Sequence, residues 1–348
     1  MKTRTAWVLG LATVMLGGCD KLVGDLLAQF ADLNLLGVMP AEGYSDPKSK
    51  DHGKVTMAFG GERDDGSFAP PPGDLIEIEP NDGSEVEEGD WEEVPGHTEG
   101  SFALLVDGSG SVWETDPENL RVAATKSLAK KLGHCSGDWR MSLMEFGNDY
   151  PSGGFTQTDV LADWTVDSAD LVSAADALDA YYDTPIWDST FEVLDALTGD
   201  AVDSFARGNS TEVEDLPEQV GVGIVVLSDG ADTVSAHTLD DLIAHANQLG
   251  VAVHTVGFGP ASDTSEDSDY IAVDDLRRLS LETDGYYGFV ESLDDLPPLA
   301  EAIAGALCGG HTAMGATFKK PGKSGERQRG KVRLKGTDLS VPFHFTSP

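Results

Sequence analysis

Two uninterrupted apolar runs, SFALLVD (101–107) and VGIVVLSD (222–229), constrain this chain most. Strands with one wet face alternate apolar and polar residues, so continuous Val/Leu/Ile runs require burial on both faces, as in a parallel sheet. VAVHTVGFG (251–259), YYGFV (286–290), WRMSLMEFG (139–147) and VLADW (160–164) read as further strands. Helical spacing of apolar residues recurs over 119–133, 168–181, 186–197, 239–249, 273–283 and 293–307. Strands that alternate with helices of this length imply an α/β fold over 101–308, a doubly wound, mostly parallel central sheet flanked by helices.

In such folds a ligand sits beyond the carboxyl ends of the strands, where the strand order reverses. The loops after the two most apolar strands therefore carry the most functional weight. The first is Asp107-Gly108-Ser109-Gly110-Ser111. Its three oxygen-bearing side chains fall at alternate positions, so an extended turn can aim them the same way. A carboxylate and two hydroxyls are hard ligands that suit a small divalent cation; Asp-Gly-Ser-Gly is also ordinary turn chemistry. The second loop, Ser228-Asp229-Gly230, has a hairpin reading through Asp-Gly. It leads instead through a polar stretch into the helical pattern from Leu239, which leaves Asp229 at the end of a buried strand.

Asp107-x-Ser109-x-Ser111, the threonine in Asp183-Thr184-Pro185, and Asp229 in VVLSDG together resemble the von Willebrand factor type A domain. VAVHTVGFG, LRRLSLETDGYYGFV and the last helix resemble its closing part. The resemblance implies a metal-ion-dependent adhesion site, with Ser109, Ser111 and Thr184 bound directly to the ion. Asp107 and Asp229 would bind directly or through water. Mg²⁺ is the implied ion, with Mn²⁺ or Ca²⁺ as alternatives. Two aspartates balance its charge and the hydroxyls are neutral, so it stays electrophilic toward a Glu or Asp of a protein partner. The loop 198–219 is longer than a minimal connection and the acidic stretch 263–275 is unusual for the family; either is expected to rim the site.

Residues 1–19, MKTRTAWVLGLATVMLGGC, have a basic start and an apolar stretch too short to span a membrane, the pattern of a signal peptide. Leu16-Gly17-Gly18-Cys19 resembles a bacterial lipobox, which would lipidate Cys19 and place the protein in the cell envelope, outside the cytoplasm. Asp20 resembles an inner-membrane retention signal in some lineages; both membranes stay open. Residues 22–36 have helical spacing. From 40 to 100 the composition turns to Gly, Pro, Asp and Glu, with a single strand expected at 54–59. Ten acidic residues and no Lys or Arg lie between Asp74 and Glu93. Such runs are usually extended by self-repulsion, so 20–100 reads as a largely disordered tether.

Two cysteines remain, Cys135 and Cys308, each after or within a helix that begins at the metal end of the sheet. Both should fall at the opposite pole, and in an oxidising compartment a single disulfide is expected. The segment 309–348 carries eight Lys/Arg against Glu326 and Asp338. It reads as three short strands that cap the domain or dock on the acidic stretch 74–93 or on the acidic stretch 263–275.

The formal net charge of −38 argues against nucleic acid, whose affinity rests on lysines and arginines that release counterions. No Gly-x-Ser-x-Gly elbow is present and no residue is marked as a general base, so no enzymatic role is expected. Two functions remain. One is an envelope-anchored domain that binds a protein partner through a divalent cation. The other is a structural or assembly factor of the envelope whose metal site supports the fold.

Overall fold

The computed structural model describes residues 29–41, 43–97, 100–135, 139–147, 158–181, 183–198, 221–263, 270–290 and 292–348. Cys19, expected to carry a lipid, and nearly all of the loop 198–219 lie outside these residues.

The flank expected as a disordered tether is corrected over 29–97. It forms five strands: β1 (Phe30–Pro40), β2 (Lys54–Arg63), β3 (Phe68–Ala69), β4 (Ile76–Pro80) and β5 (Val86–Val94). The helical spacing at 22–36 gives way to strand from Phe30, because β1 pairs antiparallel with β2 along its length. A strand's hydrogen bonds come from its neighbour, and a partner is not visible in local spacing.

The core follows as β6 (Gly100–Asp107), α1 (Val112–Thr115), α2 (Leu120–Gly133), β7 (Trp139–Phe146), β8 (Thr158–Thr165), α3 (Ser168–Ala174) and α4 (Ile186–Thr198). It continues through β9 (Gly221–Ser228), α5 (Leu239–Leu249), β10 (Ala252–Gly257), α6 (Tyr270–Glu282), β11 (Tyr287–Phe289) and α7 (Leu296–Gly309). The sheet order is β11-β10-β9-β6-β7-β8, parallel except for the edge strand β8. Every residue of β6 is buried. Phe102, Leu104 and Val106 pack with α2 and α7 on one face, while Ala103 and Leu105 pack with α4, α5 and α6 on the other. This double burial is why β6 carries no polar alternation.

The chain then returns to the flank with β12 (His311–Phe318), β13 (Arg327–Leu334) and β14 (Ser340–Thr346). β12 inserts between β2 and β5, and β13 lies between β14 and β4. Both flanks of the sequence thus build one accessory β-domain, with Phe59, Ile78, Met314, Phe318, Phe343 and Phe345 in its core. The α/β domain is an insertion between β5 and β12. Its two connections cross side by side, with His97 N–H donating to Leu307 O at 3.0 Å. Gly310, at φ +86°, passes so close to Val94 that a Cβ would lie 2.5 Å from its carbonyl oxygen.

The basic C-terminal segment meets both acidic stretches, and it is part of a sheet rather than a separate cap. Lys319 pairs with Glu87, Arg333 with Glu79 at 3.2 Å and Lys335 with Glu88 at 3.3 Å. Asp263, expected at the rim of the site, is buried. It holds Arg277 at 2.7 Å and accepts the Thr346 N–H at 2.8 Å, which ties β14 to α6. At the pole away from the strands' carboxyl ends, Cys135 and Cys308 are bonded, with Cα atoms 5.8 Å apart.

Candidate metal centre

β6 and β9 are adjacent, but β6 connects onward to β7 on its other side, so the strand order reverses between them. Asp107 ends β6 and Asp229 follows β9, which places two carboxylates at this reversal. Both are fully buried. Asp107 Oδ1 accepts the Ser109 N–H at 2.8 Å, and Oδ2 accepts the Ser228 hydroxyl at 2.6 Å. Ser109 and Ser111 hydroxyls lie 2.9 Å apart, and Ser111 donates to Asp229 Oδ1 at 2.8 Å. The Asp229 N–H reaches Asp107 Oδ2 at 3.3 Å. Four of the five residues singled out in the sequence are therefore linked in one continuous hydrogen-bonded chain.

Thr184 is placed separately, buried on the loop before α4. Its backbone N–H donates to the Thr233 hydroxyl and its carbonyl accepts the Thr233 N–H, each at 2.9 Å. That exchange fixes the Thr184 loop to the loop that follows Asp229. The 179–184 loop is further held by Arg121, a buried guanidinium that donates to Asp179 O and Asn119 Oδ1 and pairs with Asp116, each at 3.1 Å.

Three contributors escaped the sequence reading. Ser228 anchors Asp107. Thr115, one helical turn past Ser111, donates to Asp229, and its spacing from Ser111 was the available signal. Glu145, buried at the end of β7, packs behind Gly108, where a Cβ would lie 2.6 Å from its carboxylate. Burial pushes Glu145 up to about 7, opposed by the Asp179 N–H on its Oε1. A carboxylate inside an apolar-looking strand carries no periodic signal.

Electrostatics decide what the arrangement can do. Burial raises the Asp107 carboxyl above its ordinary range, against the hydrogen bonds from Ser109 and Ser228. Burial, and then the charge of Asp107, push Asp229 up to about 7, against the Thr115 and Ser111 hydroxyls. Two buried carboxylates facing one another repel unless one of them takes up a proton or a cation lies between them. Among the described residues no three His, Cys, Asp or Glu cluster at a metal-holding distance. The donors here are two carboxylates and hydroxyls, all hard oxygen, which fits Mg²⁺, Mn²⁺ or Ca²⁺ better than a soft metal. Ser111 is exposed while Asp107, Ser109 and Asp229 are not, so an ion held here would face solvent on the Ser111 side.

Residues 102–301 match the family model of the von Willebrand factor type A domain. The chain belongs to that family. The VWA domain spans β6 to α7, and the accessory β-domain lies outside the match on both sides. No curated protein sequence matches the chain. Among solved structures, a von Willebrand factor type A protein from Catenulispora acidiphila is 12% identical with a TM-score of 0.40, covering 91% of this chain and 73% of that one. Mussel byssus proximal thread matrix protein 1, with a zinc-occupied MIDAS motif, is 17% identical with a TM-score of 0.42. The match covers 66% of this chain and 49% of the mussel chain, so this chain spans about half of that structure. Manganese-loaded TRAP protein from Plasmodium vivax is 15% identical with a TM-score of 0.40, covering 75% of this chain and 98% of that one.

Proposed function

We propose that this VWA protein binds a protein partner through a divalent cation held by Asp107, Ser109, Ser111, Thr184 and Asp229. The observation that carries the reading is the pair of buried aspartates at the strand-order reversal, joined through two serine hydroxyls. The cation, when bound, supplies an electrophilic centre. The residues of the chain do the rest: the two aspartates balance its charge, the hydroxyls fill neutral positions, and the Ser111 side admits one further oxygen. A Glu or Asp carboxylate of the partner is the natural occupant, because it is a hard oxygen donor and the neutral hydroxyls leave the ion electrophilic. Mg²⁺ is the proposed ion. The proposed role is binding rather than catalysis.

We also propose that Cys19 carries a lipid and that the mature chain works in the bacterial cell envelope, with the accessory β-domain between anchor and VWA domain. The Cys135–Cys308 bridge supports an oxidising compartment.

The test is Mn²⁺ titration of the full chain, followed by crosslinking in native envelopes with Mg²⁺ or with EDTA. Saturable Mn²⁺ binding, lost in Asp107→Ala, with crosslinks that appear only with Mg²⁺, is the expected result. Crosslinks that persist in EDTA and in Asp107→Ala would return the metal site to a structural role.

A further inference from the structure

Large apolar side chains that stay in water on a folded domain mark contact surfaces when they cluster around a site. Trp113 is 70% exposed, the most exposed aromatic among the described residues. It lies two residues beyond Ser111, on the short helix α1. That helix cannot drift. Val112 is fully buried in the core beneath it, and Thr115 donates to Asp229 at the far end of the same turn. The indole is thus held out beside the metal face at little conformational cost on binding. On the loop that follows Asp229, Val234 is 42% exposed and directly follows Thr233, the residue locked to Thr184.

The exposed charges near Trp113 are acidic, and the one cation behind the site, Arg121, is buried and paired with Asp116. The segments 107–120, 179–188 and 228–241, which build the site, contain no Lys or Arg. Glu114 and Glu118 are exposed on the Trp113 side.

We propose that Trp113 and Val234 form an apolar lip to the metal face, and that it reads the residues flanking the partner's carboxylate. The proposal rests on the cation-dependent reading above. The matching partner segment has one Glu or Asp for the ion and a bulky aromatic or aliphatic residue close to it in sequence. A Lys or Arg lies nearby to meet Glu114 and Glu118. The acidic residue supplies the bond and the apolar neighbour supplies discrimination. A carboxylate alone would not separate this partner from any acidic surface, and the surrounding negative charge repels most of them.

The experiment uses a displayed random-peptide library as the probe, selected on the full chain in Mg²⁺ and released with EDTA. Released clones should share an acidic residue with a bulky apolar residue within about three positions, since a peptide of that length spans about 10 Å. A peptide made from that consensus should bind Trp113→Ala at least about tenfold more weakly than wild type, the loss expected of a buried aromatic anchor. Trp113→Phe should recover most of the affinity. The Mn²⁺ affinity of both variants should equal that of wild type, which shows that the site and the fold survive. Unchanged peptide affinity in Trp113→Ala, or a consensus that is acidic with no apolar neighbour, overturns the lip and leaves cation-dependent binding standing. Absence of any EDTA-released clone from a chain that binds Mn²⁺ overturns both.

Discussion

Cys135, just past the end of α2, is bonded to Cys308 in the last turn of α7, across 173 residues of sequence. The bridge clasps the first and last long helices of the VWA domain on the face where both pack against β6. Closing so long a loop restricts the unfolded chain, an effect worth up to about 5 kcal/mol in the chain-entropy account. Thiol labelling of the denatured, unreduced protein should find neither cysteine free. Cys135→Ser/Cys308→Ser should unfold at clearly lower denaturant concentration than wild type, and equal midpoints would remove the stabilising role.

The two aspartates yield a prediction whose sign differs with and without metal. In EDTA they repel, so Asp107→Asn, which retains the shape of the side chain, should be at least as stable as wild type. With saturating Mg²⁺, wild type should gain about 2–3 kcal/mol at a hundredfold excess over its dissociation constant, and the variant should gain nothing. Thermal unfolding of both proteins, with EDTA and with Mg²⁺, reads the four values. A variant that is destabilised equally in both conditions would show that Asp107 acts only through its hydrogen bonds.

Thr184 makes a different prediction, because its backbone is held by Thr233 whatever its side chain does. Thr184→Ala should leave that exchange intact. Mn²⁺ affinity should then fall modestly while partner crosslinking falls further, since by the proposed reading the hydroxyl would complete the ion's coordination once the partner's carboxylate is bound. Equal losses in both measurements would assign Thr184 to metal binding alone.

The boundary between the two domains should be acid-sensitive. His254 on β10 accepts the Tyr286 N–H, and the Tyr286 hydroxyl bonds His311 at the start of β12. Burial, with the charges of His311 and His97, lowers His254 to about 3, and burial lowers His311 to about 4. Both folded values lie below the unfolded value of about 6.5, so the unfolded chain takes up protons first as pH falls. The stability from the neutral rings is complete above about pH 6.5 and is lost on the way down to about pH 4 for His311 and about pH 3 for His254. His311→Gln removes one of these uptake steps. Between pH 7 and pH 5, the wild type should lose about 2 kcal/mol more than the variant in denaturant unfolding. Identical losses would exclude His311 as a contributor.

Deleting 309–348 should expose 29–97 to proteases at every salt concentration. The ion pairs of Glu79, Glu87 and Glu88 are partly exposed, and such pairs contribute about 0–1 kcal/mol each. Phe318, Phe343 and Phe345 are buried in the shared core, and each contributes roughly 1.5–3 kcal/mol. Apolar packing therefore outweighs charge, and the effect of the deletion should not depend on salt. Protection that is restored in high salt would reverse that ranking.

The sequence by itself determined the layers of the VWA domain and the placement of Asp107 and Asp229 at the ends of its most apolar strands. Both are local patterns: strands buried on two faces must be apolar throughout, and ligands attach where such strands end. The runs at 101–107 and 222–229 became the adjacent strands β6 and β9, with Asp107 and Asp229 at their ends. Only the tertiary structure decided the fate of the acidic flank. By composition β5 cannot fold alone, because its glutamates repel one another and it has little apolar surface to bury. It is a strand because β12, more than two hundred residues later, brings both a hydrogen-bonding edge and Lys319 to meet Glu87. The same holds for Trp113, whose neighbour Val112 vanishes into the core while the indole stays in water. Which of two adjacent apolar residues faces solvent is set by how a four-residue helix is pinned to Asp229, and a contact across 114 residues leaves no trace in local spacing.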